Sequence, residues 1–257
     1  NSMAASLDAK IRELDAARRR EAQFVADVSH ELRTPLTALV SEAEMLSAHL
    51  DQMPPPARRA GELLSRDVAR LRALVSDLLE ISRLDASDAP TATDEFSLAA
   101  FLQAEIDARL PAAVLAAEDV LVACDRRALD RIVGNLLDNA ALHAQGAAVL
   151  VAASVSDGRL EVTVADLGPG ATEEALSHLF DRFYTADPSR TGGTGLGLAI
   201  AQAHAQRLGG ALEVKANTPS GLVFTLEIPV TELLPQRDGV AMLPSHDRGE
   251  TTTRGGS

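Results

Sequence analysis

His30 stands beside Glu31 and one helical turn before Thr34, in the stretch Phe24-Val25-Ala26-Asp27-Val28-Ser29-His30-Glu31-Leu32-Arg33-Thr34-Pro35-Leu36. An imidazole with an unperturbed pKa of about 6.5 is mostly neutral at pH 7, and the neutral ring is a nucleophile. At about 100° per residue, Val25, Val28, Leu32, Leu36, Leu39, Ala43, Leu46 and Leu50 fall within a sector of roughly 80°. His30 and Thr34 lie roughly 160° from the middle of that sector, on one face. The pattern presents the histidine outward from a helix whose other side is buried. Pro35 has no N–H to donate, so the Glu31 carbonyl loses its helical partner and a bend or loosened turn is expected beside His30.

Four further clusters carry ligand chemistry. Asn135-Leu136-Leu137-Asp138-Asn139 places Asn135 and Asn139 one turn apart on one helix face. Amide oxygens suit a hard cation such as Mg²⁺, which takes its other ligands from water and phosphate. Asp166-Leu167-Gly168-Pro169-Gly170 follows a strand pattern. A strand-end aspartate can accept from an exocyclic amino group such as that of adenine, and Gly168 and Gly170 let backbone approach the ligand. Phe180-Asp181-Arg182-Phe183-Tyr184 reads as packing that anchors one end of a mobile loop. Gly193-Thr194-Gly195-Leu196-Gly197 opens a helix, where N–H groups uncrowded by side chains suit phosphates. It follows no strand, which counts against a Rossmann reading, and it lacks the Lys-Ser/Thr of a P-loop. Taken singly, each cluster is an ordinary polar face or turn.

Together, in this order, they resemble the H, N, G1, F and G2 boxes of bacterial two-component sensor histidine kinases, over about residues 22–230. The resemblance implies an autophosphorylating enzyme that moves phosphate from Mg-ATP to His30 and then to an aspartate of a response-regulator receiver domain. It implies that Glu31 accepts or orients the ring proton and that Thr34 positions water for dephosphorylating the regulator. Asn139, with Asn135, would serve Mg²⁺ and phosphates, and Asp166 would read adenine. Residues 184–194 would form a lid over the triphosphate, closed by Gly193, Thr194, Gly195, Leu196 and Gly197. Leu142 departs from the pattern, since many members carry Lys or Arg there; Arg182 or Arg190 is the candidate substitute cation. His143 stands where the family often has His or Tyr. The departure keeps open an alternative, a dimeric signalling regulator whose ATP site has decayed. A Bergerat-fold ATPase without histidine transfer would not need the His30 motif.

The elements that must position these residues are legible in outline. Residues 4 to about 50 read as one helix, ended by Pro54-Pro55-Pro56. A second helix is expected from about Ala57 to Leu84, with a stripe of Leu64, Val68, Leu71, Val75 and Leu78 and with Leu74 and Ile81 beside it. Two such helices form an antiparallel hairpin, and pairing two hairpins into a four-helix bundle buries the stripes, so a homodimer is expected. Residues 87–91 read as a linker. Beyond it, helices at about 97–109, 126–143, 173–179 and 195–208 alternate with strand candidates near Val114 and at 120–123, 148–156, 160–166, 212–216 and 222–229. Asp125 is a helix cap and Asp157-Gly158 a hairpin turn. The fold class is therefore α plus α/β: a dimerising helical hairpin over 21–86, then an α/β sandwich over 92–235, which the resemblance makes a Bergerat-type ATP-binding domain. Residues 1–20 read as a tag remnant and a helical coil, which the resemblance makes a membrane-proximal signalling coil, and 236–257 as a disordered tail.

Composition narrows the function classes. The net charge is −13 with no long basic run, which argues against nucleic-acid binding. Cys124 is the single cysteine, so no disulfide framework or cysteine zinc site forms within the chain. No apolar run reaches the ~18 residues of a membrane span. The resemblance implies the cytoplasmic portion of a cell-membrane protein, with the membrane reached only through segments before this chain.

Overall fold

The computed structural model describes residues 27–28, 31–32, 34–86, 92–185 and 193–233. The expected coil over 1–20, Ser29, His30, Arg33, the linker 87–91, lid residues 186–192 with Arg190, and the tail from 236 lie outside the described residues. Residues 31–32 and 34–47 are helical, so Pro35 sits within a helix and does not end it. We call 34–47 α1. A tight turn at Leu50–Gln52 leads into α2 (Pro55–Ala86). Pro55 and Pro56 therefore begin the second helix, two residues before the expected Ala57. Their missing N–H groups cost nothing in a first turn, whose donors have no helical partner.

The hairpin is tied by Ser47 Oγ donating to Ser65 Oγ, 2.8 Å. Gly61 is buried against α1, and a side chain there would come within 2.5 Å of Leu50 Cδ2. Half of each stripe stays wet: Leu39 is 44% exposed, Leu64 54%, Leu71 46% and Leu78 50%.

The second region comprises β1 (Asp94–Ser97), α3 (Leu98–Arg109), β2 (Val114–Ala117), β3 (Leu121–Cys124), α4 (Arg126–His143), β4 (Val149–Ser156), β5 (Arg159–Asp166), α5 (Glu173–His178), α6 (Gly197–Arg207), β6 (Ala211–Ala216), β7 (Leu222–Pro229) and β8 (Thr231–Leu233). Its larger sheet has the order β2-β4-β5-β7-β6, with β2–β4 parallel and the other pairs antiparallel. A small antiparallel sheet, β1-β3-β8, closes one side. β1 and β8 have no counterpart in the expected elements; at four and three residues they are too short to show a period.

Alternation determines what faces the helices. Leu160, Val162 and Val164 of β5 point inward with Leu222, Phe224, Leu226 and Ile228 of β7. Leu129, Ile132, Val133, Leu136 and Leu137 of α4 pack against them in one core. Asp157 (φ 52°) and Gly158 (φ 73°) make the hairpin turn that joins β4 to β5.

Among the described residues, side chains cap three of the helices. Ser97, Asp125 and Thr172 accept from the N–H groups of Ala100, Ala128 and Ala175 respectively. We expect Asp125→Ala to cost about 1 kcal/mol. Urea unfolding should show a lower midpoint with an unchanged slope.

Candidate functional site

Asp166 continues the inward alternation of β5, so it is carried to the core side of the strand end and is 7% exposed. Its Oδ1 accepts from the Gly168 N–H at 2.8 Å. Gly168 is needed for close packing: a side chain there would come within 2.9 Å of Ala144 Cα and 3.2 Å of the His143 carbonyl. Gly170 has φ +74°, in the left-handed region. The far end of α4, with half-buried His143, thus rests on the loop that carries Asp166.

The same helix walls a second loop. Asn135 Nδ2 donates to the Arg131 carbonyl at 2.8 Å, which leaves its Oδ1 to face the first residue of α6. A side chain at Gly197 would come within 2.9 Å of that oxygen. Asn139, half-buried, follows one turn later. Leu142 Cδ2 lies 3.7 Å from where a side chain at Gly193 would begin. An amide oxygen whose nitrogen is spent elsewhere fits a Mg²⁺ ligand. Among the described residues, no cluster of His, Cys, Asp and Glu could hold a metal by itself.

α6 begins at Gly197, not at Gly195 as expected, because Gly195 has φ +70° and cannot be helical. Unlike α3, α4 and α5, α6 has no side-chain cap; its N-cap is Leu196. The first N–H groups of this helix are therefore open to an anion. Thr194 Oγ1 accepts from the Leu196 N–H at 3.2 Å. The Phe183 N–H donates to the Gly195 carbonyl at 2.8 Å, which joins the two ends of the expected lid. Phe180 packs on the core, but Phe183 is 61% exposed with φ +65°, contrary to the expected packing of both rings. Arg182, beside it, is exposed.

Sequence reasoning missed the docking of α2 on this second loop. Ile81, 2% exposed, packs with Leu196, Ala199 and Ile200, and Leu74 joins them. Thr194 Oγ1 donates to Asp77 Oδ2 at 3.0 Å. Glu80 Oε1 accepts from Arg131 Nε and from His204 Nε2, each at 2.8 Å, and Glu80 Oε2 also meets Arg131 Nη2. An ionised carboxylate only accepts, so Nε2 of His204 carries the proton.

These two acids respond to docking with opposite signs. Burial pushes Glu80 up, but the bonds from His204 and Arg131 outweigh it and hold the carboxyl at about 2. Burial dominates at Asp77 and raises its pKa despite the Thr194 bond and Arg131. Glu80 therefore contributes stability that is full above about 4.5 and is lost as pH falls toward 2, whereas ionised Asp77 opposes docking. We expect Glu80→Gln to loosen the α2–α6 contact and Asp77→Asn to tighten it at neutral pH. Hydrogen exchange of the α6 amides would show faster exchange in the first variant and slower in the second.

Glu31 and Thr34 are solvent-exposed, Thr34 as the helical pattern expects, and His30, which precedes both, lies outside the described residues. The structure gathers Asn135, Asn139, His143, Asp166, Gly168 and the 193–197 loop around α4. Among the described residues, no helix is long and apolar enough to cross a membrane.

Two family models match the chain. The His Kinase A (phospho-acceptor) domain matches residues 20–87, and the histidine kinase-, DNA gyrase B- and HSP90-like ATPase matches residues 124–232. The signal transduction histidine-protein kinase AfsQ2 of Streptomyces coelicolor is 38% identical over 97% of this chain and 50% of its own length. The sensor histidine kinase MtrB of Mycolicibacterium paratuberculosis is 36% identical over 90% of this chain and 43% of its own. The chain thus spans about half the length of the curated relatives it matches. Among solved structures, full-length ShkA in complex with AMPPNP superposes with a TM-score of 0.69, at 28% identity, over 82% of this chain and 46% of that one.

Proposed function

The chain belongs to the two-component sensor histidine kinases, and on that premise we propose that it transfers the γ-phosphoryl group of Mg-ATP to His30 and hands it on to an aspartate of a response-regulator receiver domain. One observation carries the nucleotide half of this reading. A single helix, α4, walls both a buried acceptor, Asp166, and an uncapped helix start faced by the Asn135 amide oxygen. The two loops suit the base and the phosphates of one nucleotide. ShkA binds AMPPNP, and an adenine nucleotide fits this chain for the reasons just given.

A nitrogen lone pair of neutral His30 forms the N–P bond as the bond from the γ-phosphorus to the β–γ bridging oxygen breaks and ADP leaves. Glu31 takes the ring proton that the phosphorylated imidazole no longer needs. Asp166 accepts from the adenine amino group. The α6 N–H groups bind phosphate oxygens, the Thr194 hydroxyl joins them on leaving Asp77, Arg182 serves as the substitute cation for the phosphates, and His143 contacts the ligand from beside the Asp166 loop. Mg²⁺, held by Asn139 and Asn135, would neutralise charge on the phosphate oxygens. Thr34, one turn from His30, orients the water that strips phosphate from the regulator. The wet leucines of α1 and α2 are buried by a second copy in a four-helix bundle.

Incubation with γ-labelled Mg-ATP should leave acid-labile, base-stable label on the protein. Absence of label, with ATP still bound, overturns the kinase reading in favour of a dimeric signalling regulator.

A further inference from the structure

The turn that joins β6 to β7, residues 217–221, closes on the strand end that carries Asp166. Asn217 Nδ2 donates to the Asp166 carbonyl at 2.8 Å, and its Oδ1 accepts from the Thr218 N–H at 2.8 Å. Its main-chain N–H donates to the Gly221 carbonyl at 2.9 Å. The β5–β7 register ends at Ala165 opposite Val223, so the Asp166 carbonyl lies beyond the ladder where Asn217 takes it.

Glycines make this approach possible. Gly221 has φ +103°, and a side chain there would collide with the Asp166 carbonyl and come within 2.9 Å of its Oδ1. A side chain at Gly170 would in turn come within 3.1 Å of the Gly221 carbonyl. Asp166 is therefore gripped twice: by the Gly168 N–H on its carboxylate and by Asn217 on its main chain.

The geometry points to Asn217 as a positioning residue for base selection: by holding the Asp166 carbonyl it sets the direction of the Asp166 carboxylate. This rests on the reading of Asp166 as acceptor for the adenine amino group. A carboxylate rewards a 6-amino purine, which donates, and repels a 6-oxo purine, which accepts. Both effects depend on direction, so a carboxylate free to swing loses selectivity before it loses affinity for the phosphates.

Asn217→Asp is the discriminating variant. It keeps shape and an oxygen for the Thr218 N–H but places an acceptor where Asp166 needs a donor. Dissociation constants for ATP, inosine triphosphate and inorganic tripolyphosphate, measured by calorimetry on the full chain, read the outcome. Asn217→Asp and Asn217→Ala should lower the preference for ATP over inosine triphosphate by about tenfold, the weight of one lost hydrogen bond. Tripolyphosphate affinity should stay unchanged. An unchanged preference in a folded Asn217→Asp overturns the inference.

Asp166→Asn separates the two levels of the claim. If it abolishes the preference and Asn217→Asp does not, only the inference about Asn217 fails. If Asp166→Asn also leaves the preference intact, the reading of Asp166 fails and the inference with it. Should the Asn217 variants not fold, the wild-type side-chain amide resonances of Asn217 give the answer. They should differ between the ATP- and inosine-triphosphate-bound states; identical positions overturn the inference.

Discussion

His30→Gln should reduce phosphate incorporation from γ-labelled ATP to background, a loss of at least about a thousandfold, with ATP affinity unchanged. The glutamine amide nitrogen has its lone pair delocalised into the carbonyl and cannot attack phosphorus. The residues assigned to ATP, from Asn135 to Asp166 and Gly197, lie on other elements of the chain, so binding survives. Filter assays of label together with calorimetric ATP titration check both halves. Label that persists on the variant would move the acceptor elsewhere. Loss of ATP binding would show that the hairpin takes part in the nucleotide site, a result that the Asp77–Thr194 contact makes worth measuring.

Asp166→Asn should weaken ATP about tenfold to a hundredfold, the weight of a hydrogen bond to a charged group. The variant is isosteric, yet it replaces a group that only accepts with one that must donate on one side. The Gly168 N–H already claims one oxygen at 2.8 Å. The new amide nitrogen then faces either that N–H or the adenine amino group, and either is a clash of donors. Because the residue is buried and its shape is kept, the thermal midpoint should move by only a few degrees. An ATP affinity within about twofold of wild type, in a folded variant, would dissociate Asp166 from the base.

Much of the site was legible because its residues obey local periods. Leu160, Val162, Val164 and Asp166 alternate, so the aspartate had to end the inward row. Asn135 and Asn139 share a face at helical spacing, Asp125 caps as its position before the helix requires, and Asp157-Gly158 turns the β4–β5 hairpin. Misjudged features have equally local causes. Pro55 and Pro56 read as a stop although a first turn tolerates them. The glycine run read as helix from Gly195, whose positive φ delays the helix to Gly197.

What remained hidden was pairing between distant residues. Glu80 meets Arg131 and His204, Thr194 meets Asp77, and Asn217 meets Asp166. Leu74 and Ile81 read as the margin of the α2 stripe, yet they are the residues α6 uses, while Leu64, Leu71 and Leu78 remain free for a second copy. By itself the sequence determined which strand residues face inward, where the capped helix α4 begins, and which polar groups stand together on one element, because each follows from spacing along a single backbone. Only the tertiary structure decided that α2 docks on the 193–197 loop and the start of α6 and that the β6–β7 turn grips Asp166. Those contacts join side chains that no period relates, and a carboxylate reads the same in sequence whether its partner is water or an arginine on another element.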